Sequence, residues 1–520
     1  MRNKLLFLAF LEGALVMLLE TAAPIVVAPV LGHSVIVWSI VLSLSVGALA
    51  LGYFLGGFLS KKDRTYDFLM RLFSANALII MIGWVLLHMQ NFSEQDLVTG
   101  TFSYLILALV LFFPSIFFGA STPVIVQILN STVSNEKGIA GKVFSISTIG
   151  GIISSLVTGY FLIDSLGLSH TLLVGTILCV LLPVFHFLKS KNFPFIAVSG
   201  VNLLFAFYFI IANPQILDSD KFKVLHFSEG ISGQLLVADF KDEKQNTRIL
   251  LINRMGQTSY NLESNFSNWT YVNFMTSAAS MYPQGSKTLV LGLGGGNVPR
   301  QIKHYLGHQV DAVELDNRII ALSEEYFDQL NARVNTYDDD ARRFVKTCED
   351  TYDFIVLDIF NGEIMPSHGL SLEAFEDIKT VLKPGGLIAI NFNGFVTGKE
   401  GIGGRSVIKT LKEAGFKVDA FDASAGQNKE SERNMIYFAY LDTPKWAECK
   451  VHTNMAGGEY KIGEHLMPIS EISKGDAFVI TDDRPIMEYI NRYAAESWRK
   501  QYLSDYTKKF RKEFGLPLVK

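Results

Sequence analysis

LVLGLGGGNVPR, residues 289–300, runs from a short apolar segment into glycines at 292, 294, 295 and 296 and then into Asn297. A strand that ends in clustered glycines before a helix start is the entry to a ligand-binding α/β sheet, because glycine permits the tight turn and the close approach to backbone amides. The flanks repeat the alternation. VDAVELD (310–316), RVNTYDDDARRF (333–344), YDFIVLDIF (352–360) and LIAINFN (387–393) are strand-like and are separated by helix-like segments. This argues for βαβ units and a parallel sheet. KVDAFDAS and RNMIYFAYL, further on, read as an antiparallel pair at the sheet's edge. Upstream, HFSEGISGQLLVADF and TRILLINRMGQTSY alternate with period two and read as a small β-hairpin region, followed by a helix around Trp269 to Met281.

The rest of the 520-residue chain has a different solvent. Residues 1–212 carry 10 Lys+Arg and 8 Asp+Glu, net +2; residues 213–520 carry 36 and 42, net −6. A bilayer-spanning helix needs about 20 mostly apolar residues, since only internally bonded backbone tolerates hydrocarbon. Seven stretches meet this: 5–31, 35–59, 68–89, 102–129, 139–163, 171–188 and 193–212. The first has a short basic flank, Arg2 and Lys4, but is far longer than a signal peptide's apolar region. The expected division is therefore a transmembrane domain of about seven helices (1–212), a linker with hairpin region and lead-in helix (213–285), a nucleoside-binding α/β domain (286–442) and a C-terminal extension (443–520).

Loop charges alternate. Arg2 and Lys4, then Lys61, Lys62, Arg64 and Arg71, then Lys137 and Lys142, then Lys189 and Lys191 mark one side; Glu94 and Asp96 mark the other. The positive-inside rule makes the N-terminus cytoplasmic. Seven spans would carry the polar half outside, whereas its chemistry reads as cytosolic. Either the seventh stretch is re-entrant or interfacial, or a long stretch is miscounted, or the polar half faces out. The expected location is the cell membrane, with the polar half in the cytoplasm. Glu12 and Glu20 fall inside the first span; they read either as a site for a cationic amine or as structural carboxyls, paired with Lys142 or protonated. Gly47, Gly52, Gly56 and Gly57 read as helix-packing contacts.

Composition excludes other classes. The chain is net −4 with no Lys/Arg block, which leaves no electrostatic footprint for nucleic acid. Cys179, Cys348 and Cys449 form neither a disulfide framework nor a zinc spacing, so no metal is expected.

Ligands of open α/β sheets sit beyond the carboxyl ends of the strands. After the first strand come Gly292, Gly294, Gly295 and Gly296. Glu314 ends the second, 20 residues beyond Gly294, the offset at which an acid accepts from ribose hydroxyls. Together they predict a nucleoside site, which a nicotinamide cofactor would also fit. Asp338, Asp339 and Asp340 end the third strand, where a carboxylate can accept from an adenine amino group or simply form an acidic turn. Asp358 ends the fourth, where a lone carboxylate can bind or deprotonate a cationic amine, or cap a helix.

LVLGLGGGNVPR, VELD (313–316), DDARRF (339–344), YDFIVLDIF, LKPGG (382–386) and the Gln of NRMGQ (253–257) together resemble the spermidine synthase-like aminopropyltransferases, and more closely the variants fused behind membrane helices. The resemblance covers roughly 223–442, with the hydrophobic layout of 1–212 for the fusion. It implies a Rossmann-like, class I methyltransferase-type α/β domain behind a β-hairpin domain. It also implies transfer of an aminopropyl group from decarboxylated S-adenosylmethionine to putrescine or another polyamine. Carried over, Gln257 and Gly292 to Gly296 line the donor, Glu314 takes the ribose, Asp340 the adenine, and Asp358 is the catalytic carboxylate. A homo-oligomer is implied as well.

This chain departs from that pattern at three places. Gly295 stands where the family has an Asp in the glycine loop, Asn361 where it has a second Asp after the catalytic one, and Tyr271-Val272-Asn273 where it has Tyr-His-Glu. Tyr271, Asn361 and Asp482, the last from TDDRPIMEY (481–489), are the candidate acceptor-binding residues; the plainer reading of Asp482 is a capping turn paired with Arg484. The neutral replacements keep open an S-adenosylmethionine-dependent methyltransferase acting on a membrane-associated substrate. A third possibility is a polyamine transporter or sensor with a non-catalytic nucleoside-binding domain.

Overall fold

The computed structural model describes the chain except residues 33, 63–64, 89–100, 133–136, 213–220, 231, 242–244, 361, 425–432, 445, 447–448, 450–461, 463–465 and 507–520; of 30, 87–88, 101–103, 209–212 and 504–506 it describes the backbone only. Backbone contacts divide it into two units. One comprises Met1–Leu217 with Ser228–Gln234 and Leu503–Lys520, the other Asp218–Phe227 with Leu235–Tyr502.

The first unit is helical: α1 (Arg2–Leu31), α2 (Val35–Leu59), α3 (Tyr66–His88), α4 (101–132), α5 (Ile139–Ser190) and α6 (Phe193–Ala212). The first five are long and apolar enough to cross a membrane; α6 contributes a shorter apolar helix. At about 1.5 Å per residue α5 would measure nearly three bilayer cores end to end. It does not run straight: Gly167, at φ 80° and ψ 168°, breaks it. The stretches expected as the fifth and sixth spans are thus halves of one run hinged at a glycine.

Helices in hydrocarbon gain little from apolar burial and associate where small residues let backbones touch. Gly52 and Gly56 do this: an added Cβ would lie 2.4 Å from the Ile116 carbonyl oxygen and 2.5 Å from that of Ala120, both on α4. Gly47 and Gly57 do not, since nothing stands within 4 Å of their Cβ positions. Residues four apart share a helix face, and those two point elsewhere. The carboxylates of α1 are each met by a hydroxyl from a neighbouring helix. Ser147 donates to Glu12 at 2.9 Å and Ser45 donates to Glu20 at 2.5 Å.

The second unit opens with a four-stranded sheet in the order β1 (Phe222–Gly230), β2 (Gly233–Lys241), β3 (Asn246–Ile252), β4 (Met255–Asn261). Asn253 and Arg254, both at positive φ, form the two-residue turn between β3 and β4, the geometry that matches strand twist. After α7 (Thr270–Ala279) comes an eight-stranded sheet. Its members are β5 (Lys287–Leu291), β6 (Gln309–Glu314), β7 (Asn335–Asp338), β8 (Tyr352–Leu357), β9 (Leu382–Gly394), β10 (Lys417–Asp422), β11 (Arg433–Tyr440) and β12 (Leu466–Met467). The order is 12-10-11-9-8-5-6-7. Strands 5 to 9 are parallel, and β11 inserts antiparallel between β9 and β10. The predicted antiparallel pair is present, but β11 is interior to the sheet and only its partner lies near the edge.

Strand order reverses at β5, between β6 and β8, which opens a crevice at their carboxyl ends. The central strands are buried on both faces, as continuous apolar runs require; Val290, Phe354, Ile355, Ala389 and Ile390 are fully buried. Side-chain caps start the crossover helices: Asp316 for α9 (Asn317–Phe327), counting the short Asn297–Gln301 as α8, then Asp340 for α10 (Ala341–Thr347) and Ser371 for α11 (Leu372–Val381). Beyond α12 (Ile402–Glu413) the C-terminal extension wraps the same domain. Phe478 and Ile480 amides donate to Ser406 and Thr410 of α12, and α13 (Arg492–Tyr506) closes the unit.

Candidate active site

Gly292 directly follows β5 at φ 93°, and a Cβ there would lie 2.2 Å from the carbonyl oxygen of Asp358. The two strand ends are therefore in backbone contact, reinforced by the Asp358 amide donating to the Leu291 carbonyl at 2.8 Å. No side chain fits at this position. The glycine turn is thereby locked beside the carboxylate predicted to react.

Asp358 is held by two neutral donors. The Tyr271 hydroxyl of α7 donates to Oδ2 at 3.1 Å, and the Asn391 amide of β9 donates to Oδ1 at 2.7 Å. Burial pushes the Asp358 carboxyl above its ordinary range; the two hydrogen bonds favour the charged form and oppose this. Tyr271 is driven well above the usual phenol range by burial and by the adjacent Asp358 charge, so it stays protonated and donates. The Oδ1 of Asn391, a residue 4% exposed, has no hydrogen-bond partner among the described residues, and an unpartnered buried acceptor beside a carboxylate suits a ligand N–H.

Gln257 reaches this site through a bulge. Leu250 pairs Thr258 while Leu251 pairs Gly256, which leaves Gln257 as the extra residue on β4, and such a bulge re-aims its side chain. Its amide donates to the Gly362 carbonyl at 3.0 Å, joining the hairpin sheet to the loop after Asp358. Next to it, the Thr258 hydroxyl donates to the Gln257 carbonyl and accepts from the Gly295 amide, both at 2.7 Å. A Cβ on Gly295 would lie 2.6 Å from Thr258. A side chain at 295 would therefore displace Thr258 or the turn. Arg300, 3% exposed, donates to the Gly295 carbonyl and to Ser323 and so fixes the turn from behind.

Glu314 accepts from the backbone amides of Leu293, Leu315 and Asp316 at 2.9–3.1 Å. It therefore sits against the glycine turn, and burial raises its pKa. Asp340 caps α10, its Oδ1 accepting from the Arg342 and Arg343 amides at 3.0 Å; its Oδ2 is 3.7 Å from His368. Asp339 is paired with Arg343.

The structure thus brings Gln257, Tyr271, Gly292, Gly294, Gly295, Gly296, Glu314 and Asp358 to one crevice. Asp482 is engaged differently: Ser371 donates to it at 2.6 Å and Arg342 at 3.1–3.2 Å, and these bonds hold its pKa low. It pairs with Arg342 and not with Arg484, which corrects the expected partner; the turn expected in TDDRPIMEY is present, with the Arg484 amide donating to the Thr481 carbonyl at 3.0 Å. Asn361 lies outside the described residues. Asn391, Thr258 and Arg300 are the contributors that sequence reading missed. The available signal for the first was a pair of asparagines, 391 and 393, in the otherwise apolar LIAINFN. Among the described residues no cluster of metal-ligating side chains occurs.

Residues 272–421 match the spermine/spermidine synthase domain. Among curated proteins it is similar to a polyamine aminopropyltransferase of Vibrio vulnificus (strain CMCP6), 34% identical over 128 residues, covering 23% of this chain and 42% of that protein. It is also similar to polyamine aminopropyltransferase 2 of Aquifex aeolicus (strain VF5), 23% identical over 406 residues, 74% of this chain and 78% of the relative. The chain spans about two fifths of the length of the first two curated relatives it matches. Among solved structures it is similar to spermidine synthase from Thermotoga maritima, with TM-score 0.38 and 12% identity, covering 48% of this chain and 87% of that one.

Proposed function

We propose that the α/β unit is an aminopropyltransferase anchored to a lipid bilayer by the helical unit, with a small amine or polyamine as acceptor and decarboxylated S-adenosylmethionine as donor. The observation that carries this reading is Asp358, a buried carboxylate fixed between Tyr271 and Asn391 at the switch point of the sheet, in backbone contact with the glycine turn. A sulfonium already activates its neighbouring carbon. What the protein supplies is orientation and an unprotonated nitrogen. The acceptor nitrogen forms the new C–N bond as the C–S bond breaks; the bonding pair returns to sulfur, giving neutral methylthioadenosine, and the nitrogen's proton passes to Asp358 directly or through water. In this reading Gln257 and the glycine turn line the donor, Glu314 holds the ribose, Asp340 the adenine, and Asn391 accepts from the amine. The apolar outer faces of the helical unit, including Phe54, Phe161, Phe185 and Leu204, support the bilayer anchor.

Gly295 supports a second reading. Thr258 fills the space where a side chain at 295 would stand, so the glycine turn offers no carboxylate at that position to a donor's amino group. S-adenosylmethionine and methyl transfer would tolerate that. Purified protein incubated with each donor and a panel of amines separates the readings. Methylthioadenosine supports aminopropyl transfer and S-adenosylhomocysteine supports methyl transfer. Neither product, with nucleoside binding intact, favours a non-catalytic sensor.

A further inference from the structure

Arg499 and Glu363 form an ion pair in which both side chains are almost fully buried, at 5% and 4% exposure. Arg499 Nε donates to Glu363 Oε1 at 2.8 Å while a terminal nitrogen donates to Oε2, the two-pronged match of a planar guanidinium to a carboxylate. The other terminal nitrogen points at the Asn253 carbonyl at 3.5 Å. Glu363 directly follows Gly362, whose carbonyl accepts from Gln257. Asn253 opens the turn that leads to Gln257. One guanidinium on α13 therefore grips both segments whose meeting makes the Gln257–Gly362 bond.

Neighbouring residues of α13 act on the same two segments. Trp498 packs edge-on against Phe360, ring centroids 6.1 Å apart, and the Tyr502 hydroxyl fills the space a Cβ on Gly256 would need. Burying two charges costs more than burying apolar groups of similar volume, so stability alone gives no reason for an ion pair here. Its distinguishing property is direction: the fork fixes the orientation of the loop that it holds.

We propose that Arg499 is a positioning residue for the donor site. It fixes the loop after Asp358 against the Asn253–Gln257 turn, so that Gln257 and Asp358 face the same bound nucleoside. The role rests on the functional reading above and reaches the reaction only through Gln257 and the loop.

The test uses full-length protein in detergent, with Arg499→Lys, which keeps the charge but loses the fork, and Glu363→Gln. Amide hydrogen exchange is followed at 253–258 and 357–364, methylthioadenosine affinity by calorimetry, and KM and kcat with the donor. Both variants are expected to exchange faster in these segments and to weaken nucleoside affinity and donor KM by about tenfold or more, with kcat at saturating donor within about threefold. Should a single variant fail to fold, Arg499→Met with Glu363→Met removes both charges together; it is expected to restore stability but not affinity, and restored affinity overturns the role. Unchanged exchange, or faster exchange with undiminished affinity, overturns it too. A wild-type protein that binds no nucleoside overturns the functional reading and this role together, whereas wild-type binding that Arg499→Lys leaves unaltered overturns the role alone.

Discussion

The phenolic hydroxyl of Tyr271 donates to the carboxylate of Asp358 across 3.1 Å, from a helix that precedes the first strand of the large sheet to the end of its fourth. Both groups are driven toward their neutral forms by burial. The bond works against that drive for Asp358, because it stabilises the anion that must accept a proton.

Replacing Asp358 by Asn removes the proton acceptor while keeping size; the new amide nitrogen donates, so one of the two bonds must be remade with Tyr271 or Asn391 as acceptor. Turnover should fall by about 10²-fold or more, the usual contribution of a general base, with methylthioadenosine affinity retained. The raised carboxyl pKa also implies a sign for stability. A folded-state pKa above the unfolded value means the folded state binds more protons, so stability falls as pH climbs from the unfolded toward the folded pKa. The Asn variant should therefore melt no lower than wild type at neutral pH. A thermal scan beside a product assay reads both, and undiminished turnover would remove Asp358 from the reaction.

Tyr271→Phe keeps the ring and deletes the bond. The Asp358 pKa should rise further, moving the acid limb of the kcat/KM profile to higher pH by up to about one unit, or about 1.4 kcal/mol. Activity lost on the acid side of the profile should return as pH rises. A uniform loss at all pH values would show that the hydroxyl serves some purpose other than tuning the carboxylate.

Gly295→Asp restores the acid that this loop lacks by comparison with the resembling family. Because Thr258 occupies its space, the substitution should lower stability by roughly 1–3 kcal/mol, as overpacking does, and weaken donor binding. Denaturant titration with calorimetry checks it; tighter binding of the decarboxylated donor would mean the turn can open.

In the helical unit, Gly52→Ala should lower the thermal midpoint in detergent, since the added methyl meets the backbone of α4. Gly57→Ala should stay within about 0.5 kcal/mol of wild type. Equal midpoints for both would contradict the α2–α4 crossing.

The α/β half was legible because its signals are local. Glycines that must turn, acids that end strands and period-two segments each declare themselves within a few residues. What stayed hidden joins distant segments: Asn391 beside Asp358, Thr258 against Gly295, Arg342 on Asp482, and Arg499 on Glu363. Among the four glycines of α2, composition gave no means of choosing the two that face a neighbour, since that depends on the partner helix. The interior position of β11 was equally invisible, because a hairpin reads alike at an edge or between strands.

The amino-acid order by itself determined that an apolar helical unit precedes a parallel α/β sheet, and that a glycine turn and strand-end acids lie at the carboxyl ends of its strands, because spacing along the chain sets turns, faces and strand ends. Only the tertiary structure decided which carboxylates remain available for chemistry. Asp482 is drawn into an ion pair with Arg342 and Glu363 into one with Arg499, Asp340 caps a helix through Oδ1, and Asp358 is held between two neutral donors. The reason is that a carboxylate's role is fixed by what lies within hydrogen-bonding distance, and those neighbours are set by folding.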